Sequence, residues 1–466
     1  MRQEAQAIVL AAGPGMRMTA LTSHTAKCLL PLGTLPMLCY PLHLLQQAGF
    51  TEVSGGRRGS GAECQQGGGA VQPQGGPGWA VVSTAHDPGT ADSLRQIASK
   101  IKKSVEDVIV ISSDLVTDVQ LQDIMDQHRG RGADLTVLTS PTPCLQTHPP
   151  GPKTKTHLNS DIICTEAGTG RLVYVVAGGD YDESVVLQSS LLHCAAPLLL
   201  SSSTQDAHLY IMKRWLLDYV LNKESPCADM GSLKAEILPH IVSCQFSSEQ
   251  HTSGKLKLSG AVEREEWDDL GRKYNSSVIP SRHHSQANPQ PPVCLTFHHP
   301  GLCVRANTLH TYWHLNRKIH EIFDQVYPNS EWQLRHSSAE ISERAQVSED
   351  SVVGAGAVVC DKTNICSSVV GKHCRVSPMV RLTGTVLGDH VTLVSGVHVN
   401  DETDDISALW VPSCVIENSL ILASVEKKCT IKNCIVTDPN KIEENKELSS
   451  TWHMVMDSLY IFHEGL

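Results

Sequence analysis

Gly13, Gly15, Arg17 and Lys27 are residues whose types and spacing could do chemistry. Glycine lacks a Cβ, so backbone at these positions can take conformations closed to other residues and bring amides within hydrogen-bond reach of an anion. A planar guanidinium at Arg17 and a point charge at Lys27 supply the cations that a polyphosphate needs. The plainer alternative is a tight strand-to-loop turn. Asp114 follows DVIVISS, residues Asp107–Ser113, which reads as a buried strand with a carboxylate at its carboxyl end. Ligands collect at that edge of open α/β sheets, and Mg2+ in nucleotide sites is held by one or two carboxylates plus phosphate oxygens. Asp114 is therefore a candidate Mg2+ ligand, with helix capping as the competing role. Gly89, in HDPGTADSL, opens a helix with Asp92 in its first turn and Leu94, Ile97 and Ile101 on its core face.

The elements that must position these groups alternate. Ala7–Leu10 is an apolar run ending in small residues, as a buried parallel strand does on entering a loop. A helix with Leu38, Leu42 and Leu45 follows and stops at Gly49. A further helix carries Leu121, Ile124 and Met125, and Asp134–Leu138 supplies another strand. Alternation of this kind predicts an α/β domain with a mixed, mostly parallel, Rossmann-like sheet. Residues 54–78, rich in Gly, Gln and Arg without apolar period, read as an irregular insert where a second strand and helix are expected. Arg171–Val175 and Asp161–Ile163 flank AGTG, a hairpin signal. The helix through Trp215, Leu216 and Val220 and the segment Ala235–Pro239 close a domain over 1–246. Residues 247–334 read as a polar linker with one short helix.

From Ile341 a different period takes over. Aliphatic residues recur every six positions, at Ile341, Val347, Val353, Val359 and Ile365, then after a one-residue slip at Val370, Val376 and Leu382, then at Leu387, Leu393 and Val399. Neither helix nor strand alternation produces that spacing, whereas a left-handed parallel β-helix of hexapeptide repeats does. Residues 335–440 are assigned to it, with small residues such as Gly354, Gly371 and Gly388 at or near its corners. An acidic stretch, 400–413, reads as an insert and 441–466 as an irregular tail. His373, His390 and His398 have no partner visible in sequence and read as surface residues.

Composition sets outer limits. A chain of 466 residues exceeds one core, and 41% hydrophobic with 19% charged residues is ordinary for a globular protein. A net charge of -11 opposes a general nucleic-acid surface, so any anion site must be local. No stretch has the apolar length of a membrane span or the core of a signal peptide. Sixteen cysteines without C-x-x-C pairs suggest reduced thiols in the cytosol.

The string LAAGPGMRM, LT, AKCLLPLG and PM resembles the N-terminal signature of the sugar-phosphate nucleotidyltransferases, except that Ala26 stands where that family usually has Pro. Such a domain followed by a hexapeptide β-helix is shared by sugar-1-phosphate guanylyl- and adenylyltransferases and by two subunits of eukaryotic translation initiation factor 2B. Through YPLHLLQQAGF, HDPGTADSL, VIVISSDLVTDVQL, QDAHLYIMK, EILPHIVSCQFSS, and the EEWDDL cluster leading to GLCVRANTLHTYWHLNRK, the chain resembles the gamma-subunit family of that factor. The resemblance implies a non-catalytic subunit that pairs with an epsilon subunit. The pair would dock on a core of alpha, beta and delta subunits and promote GDP/GTP exchange on initiation factor 2. It implies no required cofactor, with a weak nucleotide or sugar-nucleotide plus Mg2+ at a vestigial site. Gly13, Gly15, Arg17, Lys27 and Gly89 would hold the nucleotide and Asp114 the metal. The rival is an active sugar-phosphate nucleotidyltransferase, with Asp269 in the WDDLG element of residues 267–271 as second metal ligand. Against it, Val176–Asp180 replaces the Glu-Lys-Pro element that holds the sugar phosphate in that family.

Overall fold

A computed structural model describes residues 5–11, 13, 15–22, 25–50, 52–58, 78–84, 89–143, 160–178, 197–246, 292–327 and 334–394, with 414–417, 419–421, 430–432, 435–436, 447–449 and 452–453. The chain divides into two units: residues 1–14, 38–143 and 157–305, and residues 15–37, 144–156 and 306–466.

The first unit is built on a seven-stranded sheet. Its strands are β1 (Ala5–Ala11), β2 (Glu52–Arg58), β3 (Gly78–Thr84), β4 (Asp107–Ser112), β5 (Leu135–Pro141), β6 (Thr204–Lys213) and β7 (Cys294–His298), in the order β7-β5-β6-β4-β1-β2-β3. All neighbours are parallel except β6, which runs antiparallel to both β4 and β5. The expected mixed, mostly parallel sheet is present. Alternation along β1 and β4 divides the core: Ile8, Leu10, Val108 and Val110 join one cluster, while Ala7, Val9, Ile109 and Ile111 join the other. Helices α1 (Cys39–Gln47) and α3 (Leu121–Gly130) bring Leu42, Leu45, Ile124 and Met125 to the second cluster. Helices α2 (Thr90–Ile97), α4 (Arg214–Leu221) and α5 (Leu238–Cys244) bring Leu94, Leu216 and Ile241 to the first. At the amino end of β4, buried Asp107 accepts from Arg129 Nε at 2.8 Å, with Lys213 Nζ at 3.6 Å and His128 Nε2 at 3.5 Å.

Two sequence expectations are corrected here. Residues 54–78 are not wholly irregular, because residues 54–58 belong to β2 and Gly78 opens β3. No apolar run announces β2; it is held by the register of its backbone on β1, Ala7↔Val53 to Ala11↔Arg57. The region taken as a polar linker also holds regular structure, since β7 pairs with β5 and Cys303–Arg305 pairs with Leu115–Thr117. CLTF, at the start of β7, is only four residues long and is hidden by the polar composition around it.

In the second unit, Leu309–Arg317 and Ile319–Val326 are helices, the first opened by a capping box of Thr308 and Thr311. The 15–37 segment is tied to them: the Gly33 amide donates to Asn316 Oδ1 at 2.9 Å and the Tyr312 hydroxyl donates to the Pro31 carbonyl at 2.5 Å.

Beyond residue 334 the chain visits three parallel sheets in rotation. Glu340 pairs with Val358, Val358 with Arg375 and Arg375 with Thr392, a return every 17 or 18 residues. The one-residue slip in the sequence period is the difference between those two coil lengths. The side chains expected inside, Val353, Val359, Ile365, Val370, Val376, Leu382, Leu387 and Leu393, form one buried cluster. Val399 and the 400–413 insert lie outside the described residues. The tail is not without repeat, because Glu447–Ser449 and Trp452–His453 continue two of the sheets through Ile431↔Leu448 and Ile435↔Trp452.

The corners need a finer account than small residues. Left-handed φ falls on Gly356, His373 and His390 in one column, on Lys362 and Met379 in a second, and on Ser367 and Gly384 in a third. A side chain there costs about 1 kcal/mol. The amide of each next residue in a column donates to the preceding coil, as His373 N to Ala355 O at 2.9 Å and His390 N to Lys372 O at 2.8 Å. The exposed imidazoles of His373 and His390 stack with centroids 5.2 Å apart. Gly354 and Gly371 are required for another reason. A Cβ on Gly371 would lie 2.4 Å from the Gly388 carbonyl oxygen, and one on Gly354 would lie 2.8 Å from Gly371 backbone. Gly371→Ala should therefore force adjacent coils apart and lower stability by about 1–3 kcal/mol in urea unfolding. Gly130→Ala, with nothing near its Cβ, serves as the neutral control.

Candidate functional site

The carboxyl end of β4 is where the first unit gathers charge. The Ser113 amide donates to Leu10 O at 2.9 Å, which fixes the chain just before Asp114 turns inward to 1% exposure. Asp114 Oδ1 accepts from Ser112 Oγ at 2.6 Å and from Arg305 Nε at 3.1 Å, and Oδ2 accepts from Arg305 Nη2 at 3.1 Å. The guanidinium thus forks across both carboxylate oxygens. Its position follows from the strand ladder, in which Arg305 pairs with Leu115, the residue after Asp114. Burial works against the charge on Arg305, but Asp114 and Asp206 hold its pKa above the ordinary value.

A second carboxylate, Asp206 on β6, is equally buried. The β6–β5 register shifts between Asp206 and Tyr210, with His208 at φ 57° inside the irregularity. That irregularity turns the Tyr210 hydroxyl onto Asp206 Oδ2 and the His208 amide onto Oδ1 at 2.8 Å. Burial raises the Asp206 carboxyl above its ordinary range, against the Lys234 charge and these hydrogen bonds. Asp161 completes the set: its Oδ1 accepts the Gly178 amide at 2.9 Å, and its Oδ2 accepts the Asp206 amide at 2.9 Å and Lys234 Nζ at 2.7 Å. A cation therefore does stand beside the Val176–Gly178 segment, where the sequence suggested none. It is paired with a carboxylate of its own chain.

The nominated residues separate into groups. Gly13 is exposed, lacks a left-handed φ, and would meet nothing with a Cβ, so none of the described residues requires glycine there. Gly15 does require it, with φ 75° and Thr22 Cγ2 only 2.6 Å from a Cβ position. Arg17 is exposed and Lys27 half-buried; both belong with Gly15 to the second unit. Gly89 has a packing reason, because its missing Cβ makes room for the Gly231 carbonyl at 2.1 Å. That carbonyl also accepts the Ala91 amide at 3.0 Å. Gly13, Gly89 and Asp114 lie in the first unit. Trp267, Asp269, Gly271, Gly179 and Asp180 lie outside the described residues.

The donor set at Asp114 fits an ion pair and does not fit Mg2+, which needs carboxylate oxygens that a guanidinium is not holding. Among the described residues no group of three His, Cys, Asp or Glu could hold a metal. Arg305, Asp206, Asp161 and Lys234 were not nominated from sequence. The available signal was a lone arginine in CVRA, a strand-like apolar run in which an unpaired charge would be costly.

Comparison with known proteins agrees with a nucleotidyltransferase-like fold over the N-terminal part of the chain. The Nucleotidyl transferase family matches residues 6–148. The translation initiation factor eIF2B subunit gamma of Caenorhabditis elegans is 30% identical over 251 residues, covering 52% of this chain and 59% of that protein. The subunit of the same name in Schizosaccharomyces pombe is 26% identical over 378 residues, covering 78% of this chain and 74% of that protein. A mannose-1-phosphate guanylyltransferase of Mycobacterium tuberculosis is 29% identical over 136 residues, 29% of this chain and 36% of that enzyme.

The Arg305–Asp114 pair should behave as a buried ion pair. Arg305→Met alone removes the forked cation from a buried carboxylate and should cost about 3–5 kcal/mol of unfolding free energy, whereas Arg305→Met with Asp114→Leu should cost clearly less. Equal losses in urea unfolding of the single and double variants would show that the pair is not coupled.

Proposed function

This chain is a sequence relative of the gamma subunits of translation initiation factor eIF2B, and from that premise we propose that it serves as the non-catalytic gamma subunit of such an exchange factor. In this role it pairs with an epsilon-type subunit in the cytosol, joins a core of alpha, beta and delta subunits, and promotes GDP/GTP exchange on initiation factor 2. The observation that carries the reading is the reach of the similarity: the Schizosaccharomyces pombe match extends over 378 residues, far more than the nucleotidyltransferase region at 6–148 contains, whereas the guanylyltransferase match covers only 136 residues. The coiled C-terminal sheets, which we take as the left-handed hexapeptide form, support it by offering a stacked, repetitive surface suited to assembly.

The same proposal makes the nucleotidyltransferase-like domain a scaffold, with Gly13 and Gly89 in the first unit and Gly15, Arg17 and Lys27 in the second as vestigial nucleotide-binding residues. Support comes from the charge at the carboxyl end of β4, where Arg305 and Lys234 answer Asp114 and Asp161 within the chain. An anionic sugar phosphate entering that edge would meet cations already matched by carboxylates. Among the described residues no helix is long and apolar enough to cross a membrane.

Co-expression with an epsilon-type partner, followed by native mass spectrometry, tests the assignment. A one-to-one complex that survives dilution to about micromolar concentration is expected. Recovery of the two chains only as separate species would refute the pairing.

A further inference from the structure

We infer that Arg305 is a built-in cation that takes the coordination a divalent ion would need from Asp114, so that the carboxyl edge of β4 excludes Mg2+ as long as the guanidinium stays in place. The fork on Asp114 lies within the chain and is the same with or without an epsilon-type partner.

Three observations carry it. The fork engages both Asp114 oxygens at 3.1 Å, and Ser112 Oγ adds a third donor at 2.6 Å, so a cation would meet hydrogen-bond donors on each side of the carboxylate. A planar bidentate pair is the strongest of the ordinary charge-assisted contacts, and Mg2+ gives up its own water reluctantly. Second, the guanidinium is set in place by the fold. The ladder residues behind it, Cys303 and Val304, are buried, Ala306 after it is buried, and its side chain is only 15% exposed. Withdrawing it would take from Asp114, at 1% exposure, the guanidinium that both of its oxygens accept from. Third, the neighbouring acids cannot recruit an ion in its stead. Asp161 holds Lys234, and Asp206 is engaged by the Tyr210 hydroxyl and the His208 amide. Three carboxylates thus share two cations and a phenol, an arrangement that closes on itself.

Removing the guanidinium while keeping the carboxylate should therefore create a cation site. Mn2+ is the probe, titrated into the full chain and followed by electron paramagnetic resonance of the free ion. Wild-type protein and Asp114→Asn should give the same curve. Arg305→Ala should gain one Mn2+ per chain, bound at least roughly tenfold tighter than anything in the wild type, and Arg305→Ala with Asp114→Asn should lose it again. Circular dichroism checks that the variant is folded; if it is not, Arg305→Gln, which keeps a hydrogen-bond donor without the charge, takes its place. The inference is overturned if the wild type binds an Mn2+ that Asp114→Asn abolishes, or if the folded, charge-free variant gains none.

Discussion

A charged pair taken out of water, Arg305 on Asp114, is the constraint from which the rest of the first unit can be read. Neither charge is tolerable in a low-dielectric interior alone, so the two segments that carry them, 191 residues apart in sequence, must come together for the sheet edge to form. The antiparallel ladder of Cys303–Arg305 on Leu115–Thr117 is the backbone half of that junction, and the fork is its side-chain half. The pairing also extends the unit well beyond the similarity to nucleotidyltransferases: the chain leaves the sheet after β6, passes through residues outside the described set, and returns as β7 beside β5 before reaching Arg305. The edge where such a sheet usually collects ligands is thus held by charges the protein supplies to itself.

The second unit obeys a different rule. Its coils are fixed by stacking distance, not by charge. A glycine column at 354, 371 and 388 lets successive turns approach to a distance that a single methyl group would block. The neighbouring column of left-handed residues carries histidine at 373 and 390 despite the strain, and each of their amides still donates to the preceding coil. Glycine in this domain reports close approach at 354 and 371 and backbone conformation at 356 and 384. Gly89 against the Gly231 carbonyl makes the same point in the first unit.

The sequence showed most of what hydrophobic pattern can show. Buried strands β1 and β4, the helices carrying Leu94 and Ile124, and the six-residue period from Ile341 were legible because burial on a fixed face leaves a periodic trace. What it hid was of two kinds. Elements held by backbone pairing without an apolar run, such as β2 with its Gly55 and Gly56, leave no such trace. Nor do long-range charge pairs: Asp114 was visible as a carboxylate at a strand end, but Arg305 and Lys234 become meaningful only when the fold brings them beside it and beside Asp161. The site therefore looked open in one dimension and is internally paired in three. Gly13 stands apart, since nothing among the described residues demands a glycine there.

In the proposed role, this nucleotidyltransferase-like domain is a body for assembly and not for synthesis. The most direct measurement is pyrophosphate release by the purified chain supplied with GTP or ATP, a panel of sugar 1-phosphates and Mg2+. The expected rate equals the protein-free blank, for the wild type and for Asp114→Asn alike. Sustained turnover by the wild type that Asp114→Asn abolishes would contradict the account, because it would mean that Arg305 yields the carboxylate to a metal during catalysis.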